Sequence, residues 1–252
     1  MFSRKPQETT FLTVVTYGRT GSTALQAALN SLPGVLVRGE NYAALRGLQQ
    51  YVQSVAETAD RHHNGLPTHP WYGSKKLDPA AVIEDLRRHV VENLLRPEKD
   101  TTVLGFKEVR YEPGHFEHYE LLLSYLLFLN TLFPGITYII NVRDPQEAAR
   151  SGWWPNHGDP VAALTQTRDW LVSAHEDLNS ILGEGRAVLL HYEDWQGNAP
   201  ALIGSFKALY LPGNDAGVRA ALSQQLDHGS HGHDESQVDE SQVDENGSRE
   251  PR

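Results

Sequence analysis

The sequence predicts an α/β fold with three layers, in which a mainly parallel central sheet lies between two layers of helices. Two observations carry this prediction. Short runs of strand-forming residues alternate along the chain with longer segments of helical spacing, and this alternation builds parallel sheets that are covered on both faces. The chain also has 252 residues, 39% of them hydrophobic, which is enough for one sizeable core.

Five runs of β-branched and other apolar residues predict the strands of this sheet. Each run is short and is bounded by turn-forming or polar residues, as buried strands are. In chain order, the predicted strands cover residues 11–17, 35–37, 102–106, 136–142 and 187–191.

Helical spacing predicts most of the connections between these strands. Asp78 followed by Pro79 is a good N-cap and first-turn pair, so one helix begins there. Segment 61–76 is rich in His, Gly, Pro, Trp and Tyr without periodicity, and we expect it to form a loop over the ligand-binding face of the sheet. The predicted helices cover residues 22–32, 42–59, 79–95, 117–132, 146–151 and 160–182.

The formal net charge of −10 is unevenly distributed. Residues 227–252 hold eight acids against two arginines and so carry −6, which leaves −4 for residues 1–226. This balance excludes a broadly basic nucleic-acid surface, but it leaves room for a local basic pocket that binds an anion. The chain has no cysteine, which excludes disulfides, thiolate zinc sites and cysteine nucleophiles.

The composition predicts one domain over residues 1–226 and an acidic tail over residues 227–252. The tail has almost no core-forming residue and repeats the sequence DESQV, which is typical of solvated, disordered segments. Its three histidines lie in a flexible acidic context, so we expect no metal site.

No segment is long and apolar enough to span a membrane. The most apolar run, residues 121–133, has about 13 residues and is interrupted by Ser124 and Asn130, whereas a spanning helix needs about 20. Residues 1–10 include basic residues with no apolar stretch behind them, so no signal peptide is expected. The sequence therefore predicts a cytoplasmic protein without membrane insertion.

A glycine-containing turn follows the first predicted strand and leads directly into the first predicted helix. Glycines allow the tight turn, and the N–H groups at the helix start converge on one point where the helix dipole favours an anion. The arginine adds a cation with a planar fork of donors, and Ser and Thr add hydroxyl groups. The turn therefore predicts an anion-binding loop. Its residues are Gly18, Arg19, Thr20, Gly21, Ser22 and Thr23.

The spacing in this loop constrains the type of anion. The nucleotide-triphosphatase pattern is G-x-x-x-x-G-K-[ST], but only two residues separate Gly18 from Gly21, and no lysine follows the second glycine. The loop instead resembles the 5′-phosphosulfate-binding loop of sulfotransferases that use 3′-phosphoadenosine-5′-phosphosulfate (PAPS), especially bacterial members with an R-[ST]-G-S-T core. From this hexapeptide alone, a strand-to-helix turn that binds no anion remains open.

Two further segments follow the fourth and fifth predicted strands. Arg143-Asp144-Pro145 with Ser151 resembles the 3′-phosphate site of the same family, and arginine suits phosphate because it makes two parallel charge-assisted hydrogen bonds. A helix start with a surface arginine is the alternative. The segment HYEDW at 191–195 resembles the family's Y-E-D-L segment, in which Glu193 and Asp194 are expected to hold the neighbouring loop and cap the next helix.

The resemblance rests on three segments in the family's order, each at a strand end. It implies a P-loop-like nucleotide-binding architecture, PAPS as the sulfuryl donor, PAP as the product and no metal requirement. Arg143 and Ser151 would hold the 3′-phosphate, and Trp153 or Trp154 would pack near the adenine. The acceptor would be a hydroxyl or amine of a small molecule, a lipid or a glycan. The sequence does not indicate an oligomeric state.

Sulfuryl transfer needs a base that accepts a proton from the acceptor. We expect this base to be Glu40, directly after the second strand, and we place that strand beside the first. Several sulfotransferases that resemble this chain use a glutamate here, whereas the cytosolic small-molecule family uses a histidine in K-[ST]-H, where this chain has Val109. His115 and His118 remain alternative bases, and a helix-capping role remains the alternative for Glu40.

Transfer also needs cations that stabilise the developing negative charge. We expect Arg19 and Lys107 to supply them, and an ion pair with an acid is the alternative for Lys107. Arg110 either binds an anionic acceptor or forms a structural ion pair. The residues expected to contact the acceptor are Trp71, Tyr72, Arg110 and His115.

Two other functions remain open at this point. A P-loop-type kinase or phosphotransferase would require ATP and magnesium, and the missing loop lysine argues against it. A non-catalytic relative would keep the PAP pocket as a binding module. The joint presence of Arg19, Glu40, Lys107, Arg143 and Ser151 argues against such a loss of activity.

Overall fold

The computed structural model describes residues 9–61, 65–152, 154 and 158–224, so the predicted tail lies outside the described residues. Within these ranges, five parallel strands form one sheet in the order β2-β3-β1-β4-β5. The five predicted strands are confirmed, with small shifts at their ends. They are β1 (Thr10–Val15), β2 (Val35–Arg38), β3 (Val103–Glu108), β4 (Thr137–Val142) and β5 (Ala187–His191).

The six predicted helices are also present, one of them in altered form, and the predicted loop contains one short helical turn. The segment predicted as one helix over 79–95 is an α-helix continued by a π-helical turn at Val90–Leu95, and the segment 61–76 ends in a 3₁₀ turn at Ser74–Lys76. In the described part of the chain, the α-helices are α1 (Ser22–Asn30), α2 (Ala44–Ala59), α3 (Pro79–His89), α4 (Tyr119–Leu132), α5 (Pro145–Ala149), α6 (Pro160–Leu182), α7 (Tyr192–Trp195), α8 (Ala199–Ala208) and α9 (Asp215–Ser223).

Helices cover both faces of the sheet, which confirms the three-layer α/β/α fold. Successive side chains of a strand point to opposite faces, and β4 shows the consequence. Tyr138 and Ile140 pack in one core cluster with α2, α4 and α6, whereas Ile139 packs in the other cluster with α1, α8 and α9. The sheet therefore has two apolar faces, and its carboxyl edge is left for polar side chains.

The most apolar run of the chain forms α4. Leu122, Leu126 and Leu129 of this helix are fully buried in the core, and α4 contacts α2, α3 and α6. Within the described ranges, no helix has both the length and the apolar character needed to cross a membrane.

The sheet order corrects one prediction. β2 does not lie beside β1, because β3 lies between them. β3 is buried along its whole length, as expected of a central strand, whereas the four-residue β2 alternates buried with half-buried residues. Gly105 permits this placement, since a Cβ there would overlap the carbonyl oxygen of Leu12 in β1. The residues after β2 therefore lie beside the end of β3.

Helix caps confirm one prediction and correct another. The Asp78 carboxylate accepts hydrogen bonds from the Ala80 and Ala81 N–H groups at 3.0 and 3.1 Å, as predicted. Asp194 does not cap the next helix, because it lies inside the short helix α7. Asn198 is the N-cap of α8 instead.

Replacing Gly105 by alanine is expected to lower the free energy of unfolding by about 3 kcal/mol, because the added Cβ would force β1 and β3 apart. Gly47→Ala is the matched control. Gly47 lies in α2 with open space around it, and alanine is expected to stabilise the protein there by about 0.5–1 kcal/mol. Urea unfolding of both variants measures these changes, and equal stability of the two would contradict the close approach of β1 and β3.

Candidate active site

One cavity lies at the carboxyl edge of the sheet, where parallel sheets bind their ligands. Its volume is about 730 Å³. The loop after β1, the ends of β3 and β4, helix α7 and the end of α9 contribute to its walls, so the structure brings most of the predicted site residues together. Among the lining residues are Gly18, Arg19, Ser22, Glu40, Lys107 and Arg143.

The loop after β1 has the backbone of an anion-binding turn. Arg19 and Gly21 both have left-handed backbone angles, with φ of 71° and 74°, and α1 begins directly after Gly21. A Cβ at Gly21 would overlap the ring of Tyr192, so this position needs glycine for its size as well as its φ. The first turn of α1, with Ser22 and Thr23, lines the cavity and gives it the positive end of a helix dipole.

Side chains from three strands or helices hold this loop in place. The buried Asn141 of β4 donates from Nδ2 to the Thr20 carbonyl at 3.0 Å, and its Oδ1 accepts from Trp195 Nε1 at 3.0 Å. Thr16 donates from Oγ1 to the Asn141 carbonyl at 2.6 Å, and the same hydroxyl lies 2.6 Å from Thr20 Oγ1. The carbonyl and the hydroxyl of Thr20, in the middle of the loop, thus both have side-chain partners.

Tyr17 joins the ends of β1 and β4. Its hydroxyl accepts from the Arg143 N–H at 2.8 Å and donates to the Arg143 carbonyl. Burial raises the pKa of Tyr17 well above its usual value, so the hydroxyl keeps the proton that it donates. The Arg143 side chain in turn donates from Nη1 to the Arg19 carbonyl at 2.9 Å and lies 4.6 Å from the Tyr192 ring. The main chain and the side chain of Arg143 are therefore both fixed beside the loop.

Ser151 meets the loop from the other side. Arg19 Nε donates to Ser151 Oγ at 3.0 Å, and a Cβ at the following Gly152 would contact the Arg19 side chain closely. Two guanidinium groups and one hydroxyl, from Arg19, Arg143 and Ser151, are thereby gathered at the end of β4. This cluster has the charge and the donors that a second anionic group needs.

Glu40 and Lys107 form an ion pair in the wall of the cavity. Glu40 Oε1 lies 2.6 Å from Lys107 Nζ, and Glu40 Oε2 lies 3.0 Å from Arg110 Nη1. Lys107 is almost completely buried, whereas 36% of the Glu40 side chain is exposed. A carboxylate and a cation therefore stand side by side next to the anion-binding loop. The ion pair predicted as the alternative for Lys107 is present.

The buried Glu108 holds Arg110, and through it Glu40, in place. Its Oε2 accepts from the Ala43 and Asn41 N–H groups at 2.9 and 3.2 Å, and its Oε1 accepts from Arg110 Nη1 at 3.0 Å. Burial by itself would raise the pKa of Glu108, but the hydrogen bonds from Ala43 and Val109 and the Arg110 guanidinium outweigh burial and hold the pKa below its usual value. Glu108 is therefore an ionised buried carboxylate at neutral pH.

The aromatic pair predicted to bind the acceptor lies elsewhere. Trp71 packs 5.1 Å from the Arg61 guanidinium, and Lys75 Nζ donates to the Ala59 carbonyl at 3.0 Å, so this segment covers the carboxyl end of α2. Glu40 precedes the other end of α2. The described part of segment 61–76 therefore does not cover the cavity, and Trp71 and Tyr72 are not brought to it.

The predicted histidines and Trp154 are also placed away from the cavity. His115 Nδ1 lies 3.2 Å from Glu112, and His118 Nδ1 lies 2.9 Å from Glu120; neither histidine is among the described residues that line it. Arg110 is engaged by two carboxylates. Trp154 is buried in the core cluster of α4 and α6, and Trp153 lies outside the described residues. Within the described ranges, no group of three potential metal ligands is present.

A sequence comparison identifies the family. A family model described as the sulfotransferase family matches residues 12–203. A search of curated proteins finds no significant match.

Two of the solved structures that are similar to this chain come from bacteria. The sulfotransferase domain of the olefin synthase from Synechococcus PCC 7002 is 17% identical, with 92% of this chain and 85% of that domain covered and a TM-score of 0.54. A sulfotransferase from Alicyclobacillus acidocaldarius is 11% identical, with 84% and 85% covered and a TM-score of 0.44. The first of these supports the fold described above.

Glu108→Gln is expected to lower the free energy of unfolding at pH 7 by about 3 kcal/mol, because it leaves Arg110 without its buried partner. The folded pKa of Glu108 is depressed, so its stabilising contribution is complete above the unfolded pKa of about 4.3 and is lost as pH falls through the folded pKa. The difference between wild type and variant should therefore shrink below about pH 4.3.

Urea unfolding at pH 7, 5, 4 and 3 measures this dependence. Glu84→Gln, which alters an exposed carboxylate paired with Arg87, is the control and is expected to change stability by less than about 0.5 kcal/mol. A difference between wild type and Glu108→Gln that stays constant over this pH range would contradict the assignment.

Proposed function

The chain belongs to the sulfotransferase family, and from this premise we propose that it transfers a sulfuryl group from PAPS to a hydroxyl or amine of a small-molecule, lipid or glycan acceptor. The observation that carries the proposal is the content of one cavity. It joins an anion-binding loop, a second cationic cluster and a carboxylate paired with a lysine. A donor with two separated anionic groups requires the loop and the cationic cluster. An acceptor that must lose a proton requires the carboxylate.

The residues of this cavity match the groups of the donor. The N–H groups at the start of α1 suit its 5′-phosphosulfate, because a helix N-terminus favours an anion. Arg143 and Ser151, which lie together at the end of β4, suit its 3′-phosphate. Tyr192, Gln196 and Gly197 form the adjoining wall, and the Tyr192 ring offers a surface for the adenine. Trp154 is buried in the core, so Tyr192 replaces it in this role.

The transfer is an in-line displacement at sulfur. The acceptor oxygen or nitrogen forms a bond to sulfur while the bond from sulfur to the 5′-phosphate oxygen breaks, and PAP leaves with that electron pair. Glu40 takes the proton of the acceptor. Arg19 and Lys107 stabilise the negative charge on the transferring group and on the leaving oxygen, and positioning and charge stabilisation supply most of the catalysis.

Isothermal titration with PAP, in EDTA and with ATP as control, tests the donor site. Wild type is expected to bind PAP in the micromolar range without metal and to bind ATP weakly. No PAP binding, or ATP binding that needs magnesium, would contradict the proposal and favour a phosphotransferase.

Arg143→Met is expected to weaken PAP binding by about 10- to 100-fold, since a charge-assisted hydrogen bond is worth about 1.5–3 kcal/mol. The same variant should leave the binding of AMP, which lacks the 3′-phosphate, nearly unchanged. Arg88→Met, which removes an exposed arginine paired with Asp85 on α3, is the matched control. Equal losses for PAP and AMP would contradict a 3′-phosphate contact of Arg143.

Glu40→Gln is expected to reduce turnover by about 10²- to 10⁴-fold, the usual contribution of a general base, while PAP still binds. Turnover is measured as transfer of label from PAPS to a panel of phenols, alkanols and glycosides, with Glu84→Gln as control. Unchanged turnover in Glu40→Gln would contradict the role of Glu40 as the base.

A further inference from the structure

The two oxygens of Glu40 are held by two cations of different kinds. Oε1 contacts Lys107 and Oε2 contacts Arg110. A carboxylate that accepts a proton from an acceptor needs an accessible oxygen, and in this arrangement both oxygens are engaged. The structure therefore raises the question of which contact is kept when the donor is present.

The contact with Arg110 is the fixed one. Arg110 Nη1 lies 3.0 Å from Glu40 and also 3.0 Å from the buried Glu108, and its guanidinium lies 4.2 Å from the ring of Tyr42. Tyr42 and Ala43 have left-handed backbone angles, with φ of 58° and 54°, which is unfavourable for non-glycine residues. This backbone directs the Ala43 N–H to Glu108, so a strained turn, a buried carboxylate and an aromatic ring all restrain Arg110.

The contact with Lys107 is the exchangeable one. Lysine carries a compact charge on a flexible four-carbon stem, and Lys107 lines the same cavity as the anion-binding loop. Arg110 is not among the described residues that line this cavity. An anion on the loop therefore competes with Glu40 for Lys107 and not for Arg110.

We propose that Arg110 is the positioning residue of Glu40, and that donor binding draws Lys107 from Glu40 Oε1 to the donor while Arg110 keeps Oε2 in place. This inference rests on the proposed function. The exchange leaves Oε1 free to accept the proton of the acceptor, and it places the lysine charge beside the leaving oxygen. Glu40 Oε1 is thus unavailable as a base until the donor is bound.

The exchange predicts opposite effects of two substitutions on donor affinity. Glu40→Gln removes the carboxylate that competes for Lys107, so PAP should bind about fivefold more tightly. Arg110→Met removes the second cation of Glu40, so Glu40 should hold Lys107 more strongly and PAP should bind about fivefold more weakly. These factors are of the size expected for one ion pair near a protein surface.

A double-mutant cycle measured by isothermal titration with PAP tests the proposal without any acceptor. In the Glu40→Gln background, Arg110→Met is expected to change PAP affinity by less than about twofold, because the competing carboxylate is absent. Arg110→Lys keeps a cation and should stay within about twofold of wild type. Thermal unfolding of each variant verifies that the fold is intact.

The outcomes separate this inference from the function on which it rests. If Arg110→Met weakens PAP binding equally in the wild-type and Glu40→Gln backgrounds, Arg110 has a purely structural role and the inference is overturned. Unchanged or weaker PAP binding by Glu40→Gln would also overturn it. Lack of PAP binding by wild type would overturn the proposed function and the inference together. Tighter binding by Glu40→Gln with a non-additive cycle supports both.

Discussion

The loop after β1 is held in place by side chains that are far away in the chain, and this constraint organises the carboxyl edge of the sheet. Asn141 donates to the Thr20 carbonyl and accepts from Trp195. Tyr17 fixes the Arg143 main chain to the end of β1. Both polar groups of the Asn141 side chain have partners in this network. Satisfied polar groups make a buried network rigid, and these partners come from several parts of the chain.

Charge is balanced in the same region by side chains at and just after the ends of β2 and β3. The carboxylates of Glu40 and Glu108 offset the cations of Lys107 and Arg110, so these four side chains together carry no net charge. Arg19 lies in the loop after β1, and Arg143 contacts it from the end of β4. These two cations are available to bind the anionic groups of a donor. The strand order accounts for this arrangement, because Glu40 and Lys107 are at the ends of β2 and β3, whereas Arg19 and Arg143 follow β1 and β4.

Much of this arrangement could be predicted from the sequence, because it depends on local patterns. The strand-glycine-helix transition at Gly21, the Asp78-Pro79 helix start and the alternation of strands and helices each involve neighbouring residues. The contacts of Asn141 and Tyr17 are made with residues far away in the chain, so local patterns do not predict them. An asparagine within the apolar run of β4 was the available signal, since a buried amide requires partners.

The predicted positions of the Trp71–Tyr72 pair and of β2 were wrong for the same physical reason. The placement of Trp71 and Tyr72 depends on the length of α2, which at 16 residues spans about 24 Å and carries the following segment away from the cavity. The position of β2 depends on the close approach of β3 to β1 at Gly105. Both are long-range consequences of packing. Glu40 nevertheless reaches the cavity, because the carboxyl ends of adjacent parallel strands meet at one edge.

The most direct measurement is a crystal structure of the chain with PAP bound. We expect the 5′-phosphate on the N–H groups that follow Gly21 and the 3′-phosphate on Arg143 and Ser151. We also expect Lys107 Nζ to contact PAP while Glu40 remains paired with Arg110. PAP bound outside this cavity would contradict the proposed function. PAP bound as described, with Lys107 still paired to Glu40, would contradict the exchange.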